Sequence, residues 1–311
     1  MEQITNNLLM VRPVRFRMNE QTAVNNYYQH ELDNLGPGDI QEKALKEFDN
    51  FVSKLISVGV NVLVISDNFE HDTPDSIFPN NWNSMHADGR VALFPMFAEN
   101  RRLERRTDIL DALEENGFNI KEVIDYTSAE EENIFLEGTG SLLLDRQNRI
   151  AYCALSQRAH EELLIEFCED FEFTPVIFHA YQTVNGSREL IYHTNVMMAL
   201  TENLAIVCLS AIDDKKEKKN LIGMLTQTGK KIIDISEEQV NQFAGNMLQV
   251  RGKDRQKYTV MSEAAYRSLT RDQINSIERE SKILYSDLST IEACGGGSAR
   301  CMMGEVFLKT E

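Results

Sequence analysis

The sequence predicts an α/β fold: a ring of five ββαβ units. Three observations carry this expectation. Beyond about residue 75 the chain repeats one order of strand, polar turn, strand, helix and strand. A polar residue stands just ahead of the first strand of each unit, at intervals of 56, 56, 53 and 55 residues. The fifth unit is complete only if the two ends of the chain are joined, with a first strand at the C-terminus and a second at the N-terminus.

The first unit reads Trp82–His86, the turn Ala87-Asp88-Gly89, Arg90–Pro95, a helix near Arg101–Asn116, then Asn119–Ile124. The second reads Gly138–Leu144, a turn over Asp145–Asn148, Arg149–Leu155, a helix near Gln157–Phe171, then Thr174–Phe178. The third reads Thr194–Leu200, the turn Glu202-Asn203, Leu204–Leu209, a helix near Asp213–Gln227, then Lys231–Ile235. The fourth reads Met247–Arg251, a polar turn to Asp254, Lys257–Met261, helical stretches through Glu280, then Ile283–Tyr285. The fifth joins Met302–Leu308 to Leu8–Arg12, a helix near Gln41–Val58 and a strand at Val60–Ile65. Turn residues between apolar runs mark the hairpins. Apolar residues three and four apart, as in Leu110 and Leu113 or Leu163, Leu164 and Phe167, mark the helices. Pairing of the chain ends would leave no sheet edge between them. The repeat predicts one catalytic domain over residues 1–311.

The residues ahead of the five first strands are Asn81, Glu137, His193, Asn246 and Cys301. Equivalent positions in a ring converge near its axis, which would bring a carboxylate, an imidazole and a thiol together. Cys301 follows Gly295-Gly296-Gly297-Ser298-Ala299-Arg300, where three glycines allow a turn that side chains would block. A cysteine nucleophile needs a base, and the base needs an orienting group. His193 and Glu137 fill those roles. An imidazolium and the Arg300 cation beside the sulfur would favour thiolate. The glycine run offers backbone N–H groups for an oxyanion. Each residue also has an ordinary structural explanation: a buried cysteine as core filler, a satisfied histidine, a strand-end glutamate. Their shared place in the repeat favours the chemical reading.

Composition excludes other classes. The chain is 42% hydrophobic and 26% charged, as in globular proteins. Its net charge of −17 argues against nucleic acid, which needs a basic face. No apolar run is long enough to span a membrane, and the start has no signal-peptide pattern. The five cysteines, Cys153, Cys168, Cys208, Cys294 and Cys301, form no disulfide framework. Reduced thiols in the cytoplasm are the expectation. Neither the histidines nor the cysteines have metal-ligand spacing, so no metal is expected. The polar stretches Asn19–Asp39 and Ala180–Glu189 are candidates to cover a pocket, and a symmetric homodimer is the default assembly.

The segment Gly295-Gly296-Gly297-Ser298-Ala299-Arg300-Cys301-Met302 resembles the catalytic cysteine motif of the guanidino-group modifying enzymes. These are the arginine deiminases, amidinotransferases and dimethylarginine dimethylaminohydrolases. Leu136-Glu137-Gly138-Thr139-Gly140 resembles their Glu-Gly-Gly-Asp segment, and His193-Thr194-Asn195 their His-x-Asp motif. Pro74-Asp75-Ser76-Ile77-Phe78-Pro79-Asn80-Asn81 resembles a dimethylarginine hydrolase segment ending in Glu-Asp. The resemblance implies a five-bladed α/β propeller, the pentein fold, working without a cofactor. It also implies Arg101 and Arg158 as candidates for a substrate α-carboxylate and Asp75 for its α-amino group. Asn246, the fifth ring position, would touch substrate or close the pocket floor.

The departures from the family pattern bear on substrate. Asn81 and Asn195 stand where relatives that bind guanidinium carry carboxylates, and the position of Asn80 is often charged. Guanidinium has only donors and favours carboxylates. A ureido group is neutral and carries a carbonyl acceptor, which suits an amide. Leu9-Met10-Val11-Arg12-Pro13 and Phe78-Pro79-Asn80-Asn81-Trp82 also resemble a citrulline-utilisation hydrolase branch. The expected reaction is hydrolysis of citrulline to ornithine, ammonia and carbon dioxide through a thioester on Cys301. Alternatives are an arginine deiminase or dimethylarginine hydrolase, an amidinotransferase, and an inert propeller that only binds. Gly140 replaces the family's aspartate, and the sequence does not say what that removes.

Overall fold

The computed structural model describes residues 2–32 and 35–310. Among them are five three-stranded sheets of one design. Asn83–Met85, Arg90–Leu93 and Glu122–Asp125 form one, and Leu142–Asp145, Ile150–Ala154 and Thr174–Phe178 the next. Met198–Leu200, Leu204–Val207 and Lys231–Asp234 form a third, and Leu248–Arg251, Lys257–Ser262 and Lys282–Ser286 a fourth. In the fifth, Gly304–Glu305 pairs with Asn7–Arg12, which pairs with Asn61–Ser66. In every sheet the first pair is antiparallel and the second parallel. A parallel pair needs a long crossover. Helices supply it, among them Pro37–Ser57, Thr107–Glu115, Glu161–Asp170, Lys215–Gln227 and Arg271–Glu278.

Burial falls from the first strand to the third. Asn83–Met85, Leu142–Asp145 and Met198–Leu200 are wholly buried, whereas Glu122–Asp125 is largely exposed. The first strands therefore lie innermost, and so do the residues just ahead of them. The helices cover the sheets through single apolar faces: Ala44, Phe48, Phe51 and Leu55 in one, Leu163, Leu164 and Phe167 in another. Neighbouring units share core. Tyr152 and Val176 of one pack in the same cluster as Met198 and Ile206 of the next and Met261 of the third. No helix among the described residues is long and apolar enough to cross a membrane.

Several local expectations are corrected. Gly138–Leu144 and Thr194–Leu200 do not start as strands; each opens with one helical turn, Gly138–Ser141 and Thr194–Met197. The turn at Gly138 is a close approach: its φ is +43°, and a Cβ there would lie 2.5 Å from the Asn80 carbonyl oxygen. The predicted helix Arg101–Asn116 is two helices, Glu99–Arg102 and Thr107–Glu115. The strand expected over Met302–Leu308 shrinks to Gly304–Glu305, because the Cys301 and Met303 N–H groups bond back to Ser298 and Arg300 carbonyls. Cys301 thus sits in a turn. Ala180–Glu189 is no open loop: Tyr181–Val184 and Ser187–Leu190 form a hairpin about Asn185-Gly186, both at positive φ. The sheets do not merge into one continuous sheet, and the two chain ends pair with each other within the fifth.

Candidate active site

The structure brings Glu137, His193 and Cys301 to one buried region. His193 and Cys301 line a single cavity with Thr22, Asn26, Asp75, Phe78, Asn81, Arg101, Arg158, Tyr192, Gly295 and Gly297. Glu137 lies behind the imidazole, its Oε2 2.7 Å from His193 Nε2. The Phe97 N–H donates to its other oxygen at 3.0 Å, and Arg158 Nη1 is 3.6 Å from Oε2. Burial would raise this carboxyl, but Arg158 and the His193 bond outweigh it and hold the group down to about 2. An ionised carboxylate only accepts, so His193 carries its proton on Nε2 and leaves Nδ1 as a base. Burial drives the imidazole down to about 4 against the pull of Glu137. The imidazolium expected beside the sulfur is therefore a neutral imidazole at neutral pH.

The Arg300 cation is also not at the sulfur. Its guanidinium donates to the Met303 carbonyl at 2.9 Å and to Glu305 at 2.7 Å. The groups on Cys301 Sγ are amides instead: Asn246 Nδ2 at 3.2 Å and Asn195 Nδ2 at 3.6 Å. The sulfur is presented by the turn after the helix Ser289–Gly295, which ends at Gly296 with φ +62°. A Cβ on Gly296 would lie 2.5 Å from the Asn26 amide, and one on Gly295 2.7 Å from the Phe78 ring. The glycines thus let neighbours close in on the loop. The Gly296 N–H is bonded to Glu292 O, and Gly297 lines the cavity.

The substrate candidates divide. Asn81 lines the cavity; its Oδ1 accepts from Arg101 Nη1 at 3.0 Å, and its Nδ2 is buried without a partner. Asn80 is buried but is not among the lining residues, and both polar atoms of its side chain lack partners. Gly140 now has an explanation: a Cβ there would fall 2.2 Å from Asn81 Nδ2 and 2.8 Å from His193 Nδ1. The space of a side chain at 140 is filled by the Asn81 amide and the imidazole. Asp75 Oδ2 accepts from Asn19 at 2.8 Å and Thr22 at 3.2 Å, while its Oδ1 has no partner. Burial raises the Asp75 carboxyl even though Arg101 opposes the shift. Arg101 is clamped by Glu104 through two bonds of 2.9 Å and also donates to the Phe78 carbonyl. Arg158 donates to Asn25 Oδ1 and to the Thr22 carbonyl, beneath the Tyr192 ring at 4.7 Å.

A covering segment escaped the sequence reading in detail. Residues 19–30 lie across the site, within the stretch proposed as a lid; Asp33 and Asn34 of that stretch fall outside the described residues. Asn19 and Thr22 bind Asp75, Asn25 binds Arg158 and Gln157, Asn26 binds Gly295 O, Gln29 binds Cys294 O, and the His30 N–H binds Ala293 O. With it in place Cys301 is only 3% exposed. Tyr192 was also missed. Its hydroxyl bonds Gly296 O at 2.6 Å and its ring packs 4.6 Å from that of His193. Adjacency to His193 was the available signal.

Comparison with solved structures finds the same fold at low sequence identity. Apo ArgZ, an arginine dihydrolase from the ornithine-ammonia cycle in cyanobacteria, matches with a TM-score of 0.73 and 17% identity. The match covers 98% of this chain but 41% of that one. The product-bound N-terminal domain of ArgZ matches with a TM-score of 0.68 and 18% identity, over 97% of this chain and 99% of the domain. A histidine-to-glycine variant of dimethylarginine dimethylaminohydrolase, in adduct with S-methyl-L-thiocitrulline, gives 0.63 and 14%, over 97% and 99%. Comparison with curated protein sequences found no match. The family model for eukaryotic N,N dimethylarginine dimethylhydrolase matches residues 12–308, nearly the whole chain. With that match and this mixed α/β fold, the chain belongs to the dimethylarginine hydrolase family of guanidino-group modifying enzymes, cysteine-dependent hydrolases of C–N bonds.

Proposed function

We propose that this chain is a single-domain cysteine hydrolase, a five-bladed pentein propeller, acting on the ureido group of citrulline or a closely related amino acid. The observation that carries the substrate is the Asn81 amide. Arg101 donates to its Oδ1, so its NH2 group is the end left unpartnered in the cavity wall. A guanidinium has no acceptor to offer that N–H; a ureido carbonyl does. An unpaired buried donor costs about 1–3 kcal/mol, which a ureido ligand would relieve. Asn195, also an amide, lies beside the Cys301 sulfur.

The proposed chemistry runs through Cys301. His193 Nδ1 takes the thiol proton and the sulfur attacks the ureido carbon. The carbon–nitrogen bond to ornithine breaks, and the imidazolium returns the proton to the leaving amine. The carbamoyl thioester is then attacked by water, deprotonated by the same imidazole. Carbamate leaves, the thiol is restored, and carbamate decays to ammonia and carbon dioxide. Glu137 holds the imidazole and stabilises its charged form. Asp75 Oδ1 suits an α-ammonium group. Of the two arginines, Arg158 better suits the α-carboxylate: Glu137 stands 3.6 Å from its guanidinium, whose hydrogen-bond acceptors are a neutral amide and a carbonyl, which a carboxylate outcompetes. Arg101 already holds the Glu104 carboxylate.

The family match favours a second reading, attack on a guanidinium as in dimethylarginine or, by likeness to ArgZ, arginine. One assay separates the two. The chain is incubated with citrulline, arginine and methylated arginines, and products are separated. Ornithine from citrulline is expected. Citrulline formed from arginine or methylarginine, with citrulline itself untouched, overturns the ureido reading.

A further inference from the structure

We propose that Asn246 is a catalytic residue that acts on the Cys301 sulfur, not on substrate. The inference rests on Cys301 being the nucleophile and is independent of whether the substrate is a urea or a guanidinium. Asn246 Nδ2 is the nearer of the two amide donors, 3.2 Å from Sγ. Its orientation is locked. Oδ1 accepts the Arg300 N–H at 2.9 Å and the Cys301 N–H at 3.4 Å, so a flipped amide would face two donors with a third. The other Nδ2 hydrogen points to the Asn195 carbonyl at 2.9 Å. All of its hydrogen-bonding capacity is thereby used within the protein, and Asn246 is absent from the cavity lining. The ring position expected to touch substrate or close the pocket floor holds the nucleophile from behind.

A thiolate is a good acceptor and a thiol a poor one, so a fixed N–H aimed at sulfur favours the charged, attacking form. The groups facing the sulfur across the cavity are His193, Tyr192, Arg158, Arg101 and Asp75. Of these, His193 is held neutral by burial, and the Tyr192 hydroxyl is committed to Gly296 O. Arg300, the one cation adjacent in sequence, is turned to Glu305. The amide of Asn246 does at this site what a charge was expected to do. The same amide ties Arg300 and Cys301 to the helical turn at Asn195, so it both places and polarises the nucleophile.

The test is alkylation of Cys301 by iodoacetamide across pH in the full chain, read by mass spectrometry, with no substrate present. Wild type is compared with Asn246→Ala and Asn246→Asp. Aspartate is isosteric and keeps the oxygen that holds Arg300 and Cys301, but it replaces the donor with a charge. The hold on Arg300 and Cys301 through Oδ1 would be kept by it. The proposal expects Asn246→Ala to slow alkylation near pH 7 by about tenfold, the worth of one hydrogen bond to a charged group. Asn246→Asp should slow it at least as much while melting near wild type. Unchanged profiles in both variants, or wild-type reactivity in Asn246→Asp, overturn it. Should both variants fail to fold, asparagine-labelled wild type decides by NMR. A side-chain amide pair must move on alkylation of Cys301, and no moving pair overturns the proposal. Citrulline turnover plays no part here, so failure of the ureido reading would leave this result standing.

Discussion

At the scale of single residues, the site is a set of amides and charges whose orientation decides its chemistry. Asn81 shows how. Its sequence position suggests a neutral partner, but an amide can present either end, and only the Arg101 bond to Oδ1 fixes which. Asn81→Asp would put a carboxylate oxygen where the free N–H now stands. We expect kcat/KM for citrulline to fall about 10- to 100-fold, the worth of one buried donor lost against a carbonyl. Binding of arginine, measured by calorimetry, should strengthen. Unchanged citrulline kinetics would remove Asn81 from contact with the reacting group. The meeting of Glu137, His193 and Cys301 was legible because the repeat spacing put them at one equivalent position in three of the five units. Arg300 was misread for the opposite reason: sequence adjacency to Cys301 says nothing of where a long side chain turns, and Glu305 claims it.

At the scale of elements, the strands and crossover helices followed apolar periodicity, while the short pieces that carry function did not. The single turns Gly138–Ser141 and Thr194–Met197 are too brief to show a helical period. They exist because their N–H groups close onto Glu137 and His193 carbonyls. The Asn185-Gly186 hairpin was readable and was passed over as a polar loop. Residues 19–30 were readable only as polar, since their partners at 75, 157–158 and 293–295 are remote in sequence. Asn25 is their strongest tie, donating to Gln157 at 2.8 Å and accepting twice from Arg158. Bonds to a charged group contribute roughly 1.5–3 kcal/mol. Asn25→Ala should therefore raise the open population about tenfold or more. Amide hydrogen exchange in residues 19–30 should speed up by that factor, while the buried strand Ile150–Ala154 stays protected. Equal exchange in the two proteins would mean that the segment is held elsewhere.

At the scale of the whole molecule, the order of the units was legible because each repeats one pattern, and the pairing of Asn7–Arg12 with Gly304–Glu305 follows from the unit that lacks a strand at either end. The electrical state of the interior was not legible, because burial and long-range partners set it. It has a consequence for stability against pH. His193 is lowered from 6.5 to about 4, so the native state refuses a proton that the unfolded chain accepts below 6.5. Stability from this group is present above pH 6.5 and is lost as pH falls through about 4. Glu137, lowered from 4.5 to about 2, adds a second loss at still lower pH. One buried carboxyl acts in the other direction. Burial raises Glu292 to about 7, so its contribution fades as pH rises toward that value. The melting curve of the wild type is thus a composite, and the informative quantity is its difference from His193→Gln, which cannot titrate. We expect wild type to lose melting temperature relative to the variant between pH 6.5 and 4, and the two to run parallel above pH 7. Curves parallel throughout the acid range would mean that His193 takes up its proton equally in both states, and that burial does not disfavour its charged form.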